Sequence, residues 1–301
     1  MVRDTNWTND KEVLLDAAKC MEELAKQFCS SNEIATSVMK SKSDACDCKW
    51  YHAAWGYCRL LNLIPSPSIH DEYYQQFFEK NRDRQEINVL ISGTADYTIL
   101  EHITRKLPLD LYDKVTFTIL DLCQTPLKMC NWYNEKRVQL GEKAVNIHYV
   151  QSDAKRTNLA SDQFDLITTY SFLSRFDSKS QRDVVAEWHR LLKVGGAVIT
   201  SDRITSEYDS GFFQTTQMQQ NRFIELAKVR LRAINGLEES KKLEILELIK
   251  NYIYNIESFS FPTTSSFCSL FDKFVYDIDV KQVPGESEPM ETYIVLCAQK
   301  Q

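Results

Sequence analysis

The 301-residue sequence predicts an α/β protein built around a mostly parallel sheet. Three observations support this. From residue 87 onward, five short apolar runs alternate with stretches of helical periodicity. The chain then ends in two further extended runs joined by the turn-rich VPGESEP. Before residue 87 no run reads as a strand.

The N-terminal part reads as helix. Leu14, Ala17, Ala18, Met21, Leu24, Ala25 and Phe28 recur at three- and four-residue steps, which predicts a helix over 10–40. A second helix is expected over 50–63, stopping before Pro65 and Pro67, which disfavour helix in the residues that precede them. A third is expected over 70–81, carrying Tyr73, Tyr74, Phe77 and Phe78.

At Ile87 the pattern changes. INVLIS is a short apolar run ahead of Gly93, as expected of a strand buried on both faces. A helix follows over 97–106, and VTFTILD (115–121) is the next strand. Pro126 suits the first turn of a helix running to about 140. NIHYV (146–150) and FDLITTYSF (164–172) are strands three and four. A helix over 181–193 ends at Gly195-Gly196, before strand five, AVITSD (197–202). A long helical stretch at 214–256 is broken near Gly236. FDKFVYDIDV (271–280) and ETYIVLCAQ (291–299) then form a hairpin.

Composition limits the function. The chain carries a formal net charge of −6 and no Lys/Arg-rich run, which disfavours a nucleic-acid partner because a phosphate backbone would be repelled. The nine cysteines are scattered, their number is odd and no CxxC pair occurs. A disulfide framework is therefore not expected, and a reducing, cytoplasmic compartment is. Cys46 and Cys48 form a CxC without a matching second pair, so no metal site is expected from spacing. No apolar run reaches transmembrane length, and no membrane partner is expected. The oligomeric state is not legible.

Five βα-type strands and a terminal hairpin, over 87–202 and 271–299, resemble the core of class I S-adenosylmethionine-dependent methyltransferases. Four landmarks carry the resemblance. They are the loop Ser92-Gly93-Thr94-Ala95-Asp96 after strand one, Asp121 at the end of strand two, Ser152-Asp153-Ala154 after strand three, and Phe164-Asp165-Leu166-Ile167 leading to Tyr170-Ser171-Phe172. Leu191-Leu192-Lys193-Val194-Gly195-Gly196 is similar to the family's turn before strand five. The first loop departs from the pattern: Ile91 stands where the family has an acid, and Ala95 and Tyr97 stand where it has its second and third glycines.

The resemblance implies a seven-stranded Rossmann-like methyltransferase sheet with an N-terminal helical lid (1–85) and a helical insertion (about 204–270) in a core spanning 86–301. It implies S-adenosylmethionine as cofactor, bound by Gly93, Thr94, Ala95, Asp96, Asp121, Leu122, Ser152, Asp153, Ala154 and Tyr170. A carboxylate at Asp121 suits a ribose diol, since it offers only acceptors; as a helix cap it would stand too far before Pro126. Asp153 has an alternative role as a turn or cap residue.

The methyl acceptor is expected to be a small molecule, with Tyr51, Trp55, Phe172 and Arg203 as substrate-side candidates. Rings at helical spacing also simply fill cores. No catalytic residue stands out, and His52, Tyr170 and Arg203 are the candidates. Two alternatives stay open on the sequence: the same cofactor fold used for a reaction other than methylation, and a non-catalytic Rossmann-like binding protein.

Overall fold

The computed structural model describes residues 6–29, 48–204, 212–259, 261–274, 276–284 and 292–301. In chain order the first half contains α1 (Lys11–Phe28), α2 (Lys49–Leu60), α3 (Asp71–Lys80), β1 (Ile87–Ser92), α4 (Thr98–Lys106), β2 (Val115–Asp121), α5 (Gln124–Gln139) and β3 (Asn146–Gln151). The second half contains β4 (Phe164–Tyr170), α6 (Ser178–Leu191), β5 (Leu192–Ile204), β6 (Phe212–Gln214), α7 (Gln217–Arg232), α8 (Glu239–Asn255), β7 (Glu257–Phe259), α9 (Thr264–Cys268), β8 (Tyr276–Pro284) and β9 (Thr292–Lys300). The expected residues 30–40 of the first helix, and Cys46 in the CxC, lie outside the described residues.

The chain forms two compact units. One is helical and drawn from Met1–Pro65, Cys123–Thr125 and Gln214–Glu257. Asp10 caps α1 by accepting from the Glu12 and Val13 amides, and Thr216 closes a capping box with Gln219 on α7. Ala18, Ala54, Tyr57, Leu61, Ile245 and Ile249 form part of its core. Gly56 sits where a Cβ would lie 2.7 Å from the Ala18 Cα, so close packing of α1 and α2 requires a glycine there. The break expected near Gly236 lies between α7 and α8, with Gly236 at φ +77°.

The other unit contains Ser66–Leu122, Pro126–Phe213 and Ser258–Gln301. Its seven-stranded sheet has the order β3-β2-β1-β4-β5-β9-β8. β1 through β5 pair in parallel, while β9 runs antiparallel between β5 and β8. The central strands are apolar on both faces: Val89, Leu90 and Ile91 of β1 are fully buried, as are Leu166 and Ile167 of β4. The late hairpin inserts its second strand against β5, which accounts for the more apolar character of β9.

One expectation is corrected. Gly195-Gly196 does not form a turn before strand five; it lies inside β5, where the register against β4 shifts between Phe164 and Leu166. A Cβ on Gly196 would lie 2.9 Å from the Lys193 carbonyl and 3.0 Å from the Asp165 carbonyl, so the bulge needs bare backbone at that point.

Candidate active site

In an open parallel sheet the carboxyl ends of the strands leave a crevice where the strand order reverses, here beside β1. The loop after β1 is anchored there. The Gly93 amide donates to the Leu120 carbonyl at 2.7 Å, and the Thr94 amide donates to Asp121 Oδ2 at 3.1 Å. Gly93 has φ +78°, and a Cβ on it would fall 2.2 Å from Phe172 Cε2. Glycine is therefore required both by conformation and by space.

Asp121 is half-buried at the tip of β2, and its own carbonyl accepts from the Ser152 amide at 3.1 Å. Gln151 Nε2 donates to the Leu122 carbonyl at 3.0 Å. Asp153 accepts from the Lys155 amide at 2.9 Å and pairs with the Lys155 ammonium at 3.5 Å. Ala154 is buried behind it. Gly93, Thr94, Asp121, Leu122, Ser152 and Asp153 are thus joined by hydrogen bonds and neighbouring backbone across the ends of three adjacent strands.

The rest of the first loop shows why its glycines are missing. Asp96 is buried, and its carboxylate accepts from the Thr98 amide at 2.7 Å and from the Thr98 hydroxyl, so it caps the start of α4. Tyr97, at the third glycine position, is buried and stacks on Tyr133 with centroids 5.0 Å apart. The ring packs among core aromatics, a role that a glycine could not fill. Ala95 is half-buried between these two.

At the ends of β4 and β5 lies a polar network that sequence reasoning missed. His70, immediately before α3, is fully buried. Its Nε2 is 2.8 Å from the Ser201 hydroxyl and its Nδ1 is 3.0 Å from the Tyr74 hydroxyl, which in turn bonds the Thr168 hydroxyl at 2.8 Å. Burial pushes the His70 pKa down to about 3, so the ring is neutral. Tyr170 stands edge-on to His70 at 5.7 Å and stacks on Tyr293 at 6.1 Å.

Side chains alternate along a strand, so Arg203 projects to the same face of β5 as Ser201. Tyr170, two residues after Thr168, shares the corresponding face of β4. Ser171 has φ +48°, a left-handed conformation that costs a non-glycine residue on the order of 1 kcal/mol and re-aims the chain at the strand end. Phe172 follows, edge-on to Phe176 at 4.9 Å. Asp202, buried on the opposite face of β5, accepts from the Ser174 amide at 2.9 Å and holds that loop, and burial raises its pKa.

Other residues singled out by the sequence lie elsewhere. Asp165 is at the opposite, amino-terminal end of β4, where it is buried and takes Arg84 at 2.5 Å, Lys193 at 2.8 Å and the Asn88 amide at 2.8 Å. It serves as a structural clamp. Tyr51 and Trp55 are in the helical unit, stacked at 5.1 Å and grouped around Tyr252.

His52 is also in the helical unit, beside three thiols. Cys29 ends α1, Cys48 precedes α2, and Cys123 precedes α5. Their hydrogen bonds, first from Cys29, then Cys48 and His52, hold the Cys123 thiol well below the usual thiol range. Cys29 is pushed up to about 12, chiefly by its bond to Cys123. Cys58, on α2, is buried in the apolar core instead of joining them.

Residues 102–200 match the family model described as a methyltransferase domain. The sheet order, the antiparallel strand inserted between β5 and β8, and the strand ends that this match spans all agree with it. Residues 102–200, about a third of the chain, thus carry a match to a methyltransferase domain within a sheet of Rossmann-like order. The chain is a methyltransferase, and its cofactor is S-adenosylmethionine.

Among solved structures, the chain is similar to an S-adenosylmethionine-dependent methyltransferase from Methanosarcina mazei. The identity is 13%, with 74% of this chain and 97% of that one covered and a TM-score of 0.46. It is also similar to the N-methyltransferase NodS from Bradyrhizobium japonicum, solved with S-adenosylhomocysteine. There the identity is 12%, with 82% and 98% covered and a TM-score of 0.43. A third similar structure is the [4+2]-cyclase SpnF, at 11% identity with 96% and 95% covered and a TM-score of 0.44. No curated protein sequence matches the chain. Among the described residues no helix is long and apolar enough to cross a membrane.

The residues present fit this cofactor. Asp121 offers a half-buried carboxylate, an acceptor-only group of the kind a diol requires, and the Thr94 amide orients it, while bare Gly93 lets the loop pass close under the Phe172 ring. The methyltransferase's departure from the family's glycine pattern is accounted for by Tyr97 packing and Asp96 capping.

Proposed function

We propose that this methyltransferase transfers the methyl group to a small, partly apolar molecule presented at the carboxyl ends of β4 and β5. One observation carries the reading: the wall there is aromatic and its buried base, His70, is neutral. Tyr170, stacked on Tyr293, and Phe172 offer rings, and the His70 ring has both nitrogens engaged. Such a surface suits an apolar acceptor with few polar groups. Arg203, on the same face as Ser201, would hold an anionic group of that acceptor. The net charge of −6 supports a small acceptor over an extended polyanion.

S-adenosylmethionine supplies a methyl group already activated on sulfonium. The chain's residues then need only bind, align and exclude water. In this reading Asp121 accepts from the ribose hydroxyls, and the Gly93-Thr94 backbone approaches the methionine part. Ser152, Asp153 and Ala154 border the adenine, and Asp153 keeps its Lys155 contacts while doing so. Tyr170 borders the methyl-transfer side. Asp96 contributes through its cap on α4, which sets the loop.

The test is a product survey with methyl-labelled S-adenosylmethionine, comparing small-metabolite extracts with protein and RNA fractions. Label concentrated in the small-molecule fraction is expected. Label in macromolecules would overturn the proposed acceptor class.

A further inference from the structure

Cysteines far apart in sequence converge inside the helical unit. Cys29, Cys48, His52 and Cys123 are all buried, and their ligand-type atoms lie within 4.8 Å of one another. The Cys29 and Cys123 sulfurs are 3.7 Å apart, and so are those of Cys48 and Cys123. A disulfide needs about 2.05 Å between sulfurs, so these are not bonded pairs. In a tetrahedral zinc site with Zn–S of about 2.3 Å, two sulfurs stand about 3.8 Å apart, and a sulfur and an imidazole nitrogen about 3.6 Å. The two sulfur pairs at 3.7 Å match that edge, and all four ligand atoms lie within 4.8 Å of one another, close enough to share one ion.

A second observation concerns the surroundings. The Thr125 amide donates to Cys123 Sγ at 3.4 Å, and the Thr125 hydroxyl lies 3.3 Å from Cys29 Sγ and 3.4 Å from the Leu24 carbonyl. Amide donors aimed at sulfur are the outer-shell contacts that steady thiolate ligands. The cluster is also packed with Ala25 and Ala53, which keep it dry.

We propose that Cys29, Cys48, His52 and Cys123 bind one zinc ion as a closed, structural Cys3His site. Binding takes the three cysteines as thiolates and the histidine as neutral imidazole. The thiol protons leave to solvent, and the filled site carries a net charge of −1. Four protein ligands leave no open position, so the ion's role is to hold structure rather than to activate substrate. It fastens the end of α1 to the start of α2 and both to Cys123–Thr125, three residues that join the helical unit from the junction of β2 and α5. Softness of the ligands and tetrahedral geometry favour zinc over magnesium, calcium or manganese. His52 is thereby a ligand rather than a general base.

The test uses the full chain, purified without chelator and analysed by elemental mass spectrometry. About one zinc per chain is expected, retained through gel filtration. Cys123→Ser and Cys48→Ser should lose it, while Cys268→Ser should keep it. Should the ligand variants fail to fold, cobalt(II) exchanged into the wild-type chain gives the second readout. Tetrahedral ligand-field bands with thiolate-to-cobalt charge transfer are expected. A chain that stays metal-free after expression with added zinc and shows no such cobalt spectrum overturns the proposal. So does a mapped disulfide between Cys29 and Cys123, or zinc retained by the Cys48→Ser and Cys123→Ser variants.

Discussion

The ring of His70 lies 2.8 Å from the hydroxyl of Ser201, which ties the residue before α3 to the far end of β5 across 131 positions of sequence. Both ring nitrogens are engaged and the ring is fully buried, so its neutral state is built into the fold.

This sets a pH dependence. The His70 pKa is lowered from 6.5 to about 3, so the unfolded chain binds a proton between those values and the folded chain does not. The stability it contributes is present above about pH 6.5 and lost as pH falls toward 3, on the order of 3–5 kcal/mol over the whole window. Denaturant unfolding of wild type and His70→Asn between pH 7 and 4 measures it. The variant should be less stable at pH 7, and the gap between the two should shrink as pH falls. A gap independent of pH would show that His70 titrates normally.

Gly93→Ala should damage the site from two directions. The φ of +78° disfavours any Cβ, and that Cβ would meet the Phe172 ring at 2.2 Å. A stability loss of about 1–3 kcal/mol is expected, together with weakened cofactor binding. Pairing the change with Phe172→Ala should recover only the steric part. Full recovery in the double variant would show that the backbone conformation costs nothing.

Asp165→Ala should separate fold from function. It removes the partner of Arg84, Lys193 and the Asn88 amide at the amino-terminal end of β4. Both cations are partly exposed and can hydrate, so the cost should be about 2 kcal/mol, below that of a fully buried ion pair. Thermal unfolding should shift down while affinity for S-adenosylhomocysteine stays unchanged. A large affinity loss in the folded variant would place Asp165 in the site.

The strands were legible because parallel strands buried on both faces leave continuous apolar runs, as INVLIS and VTFTILD do. The positions of Asp121 at the end of β2 and of Gly93 just after β1 are legible because those runs fix the strand ends. The role of Asp165 was not, because FDLI has the same letters whether its acid faces the crevice or the opposite end. His70 was missed because it precedes a helix and meets Ser201 only in the folded chain. The thiol cluster was missed for the same reason: spacing rules read neighbours, and Cys29 and Cys123 are 94 residues apart. The Gly195-Gly196 turn was misread because a bulge and a turn make the same demand on the backbone.

S-adenosylmethionine is expected to bind across the ends of β1, β2 and β3 with Asp121 as its ribose acceptor. Calorimetric titration of wild type and Asp121→Ala with S-adenosylmethionine and S-adenosylhomocysteine tests it most directly. Wild type should bind both, and Asp121→Ala should lose about 1.5–3 kcal/mol, roughly 10- to 150-fold in affinity. Absence of binding by the folded wild type at millimolar ligand, or equal affinity in the variant, would contradict it.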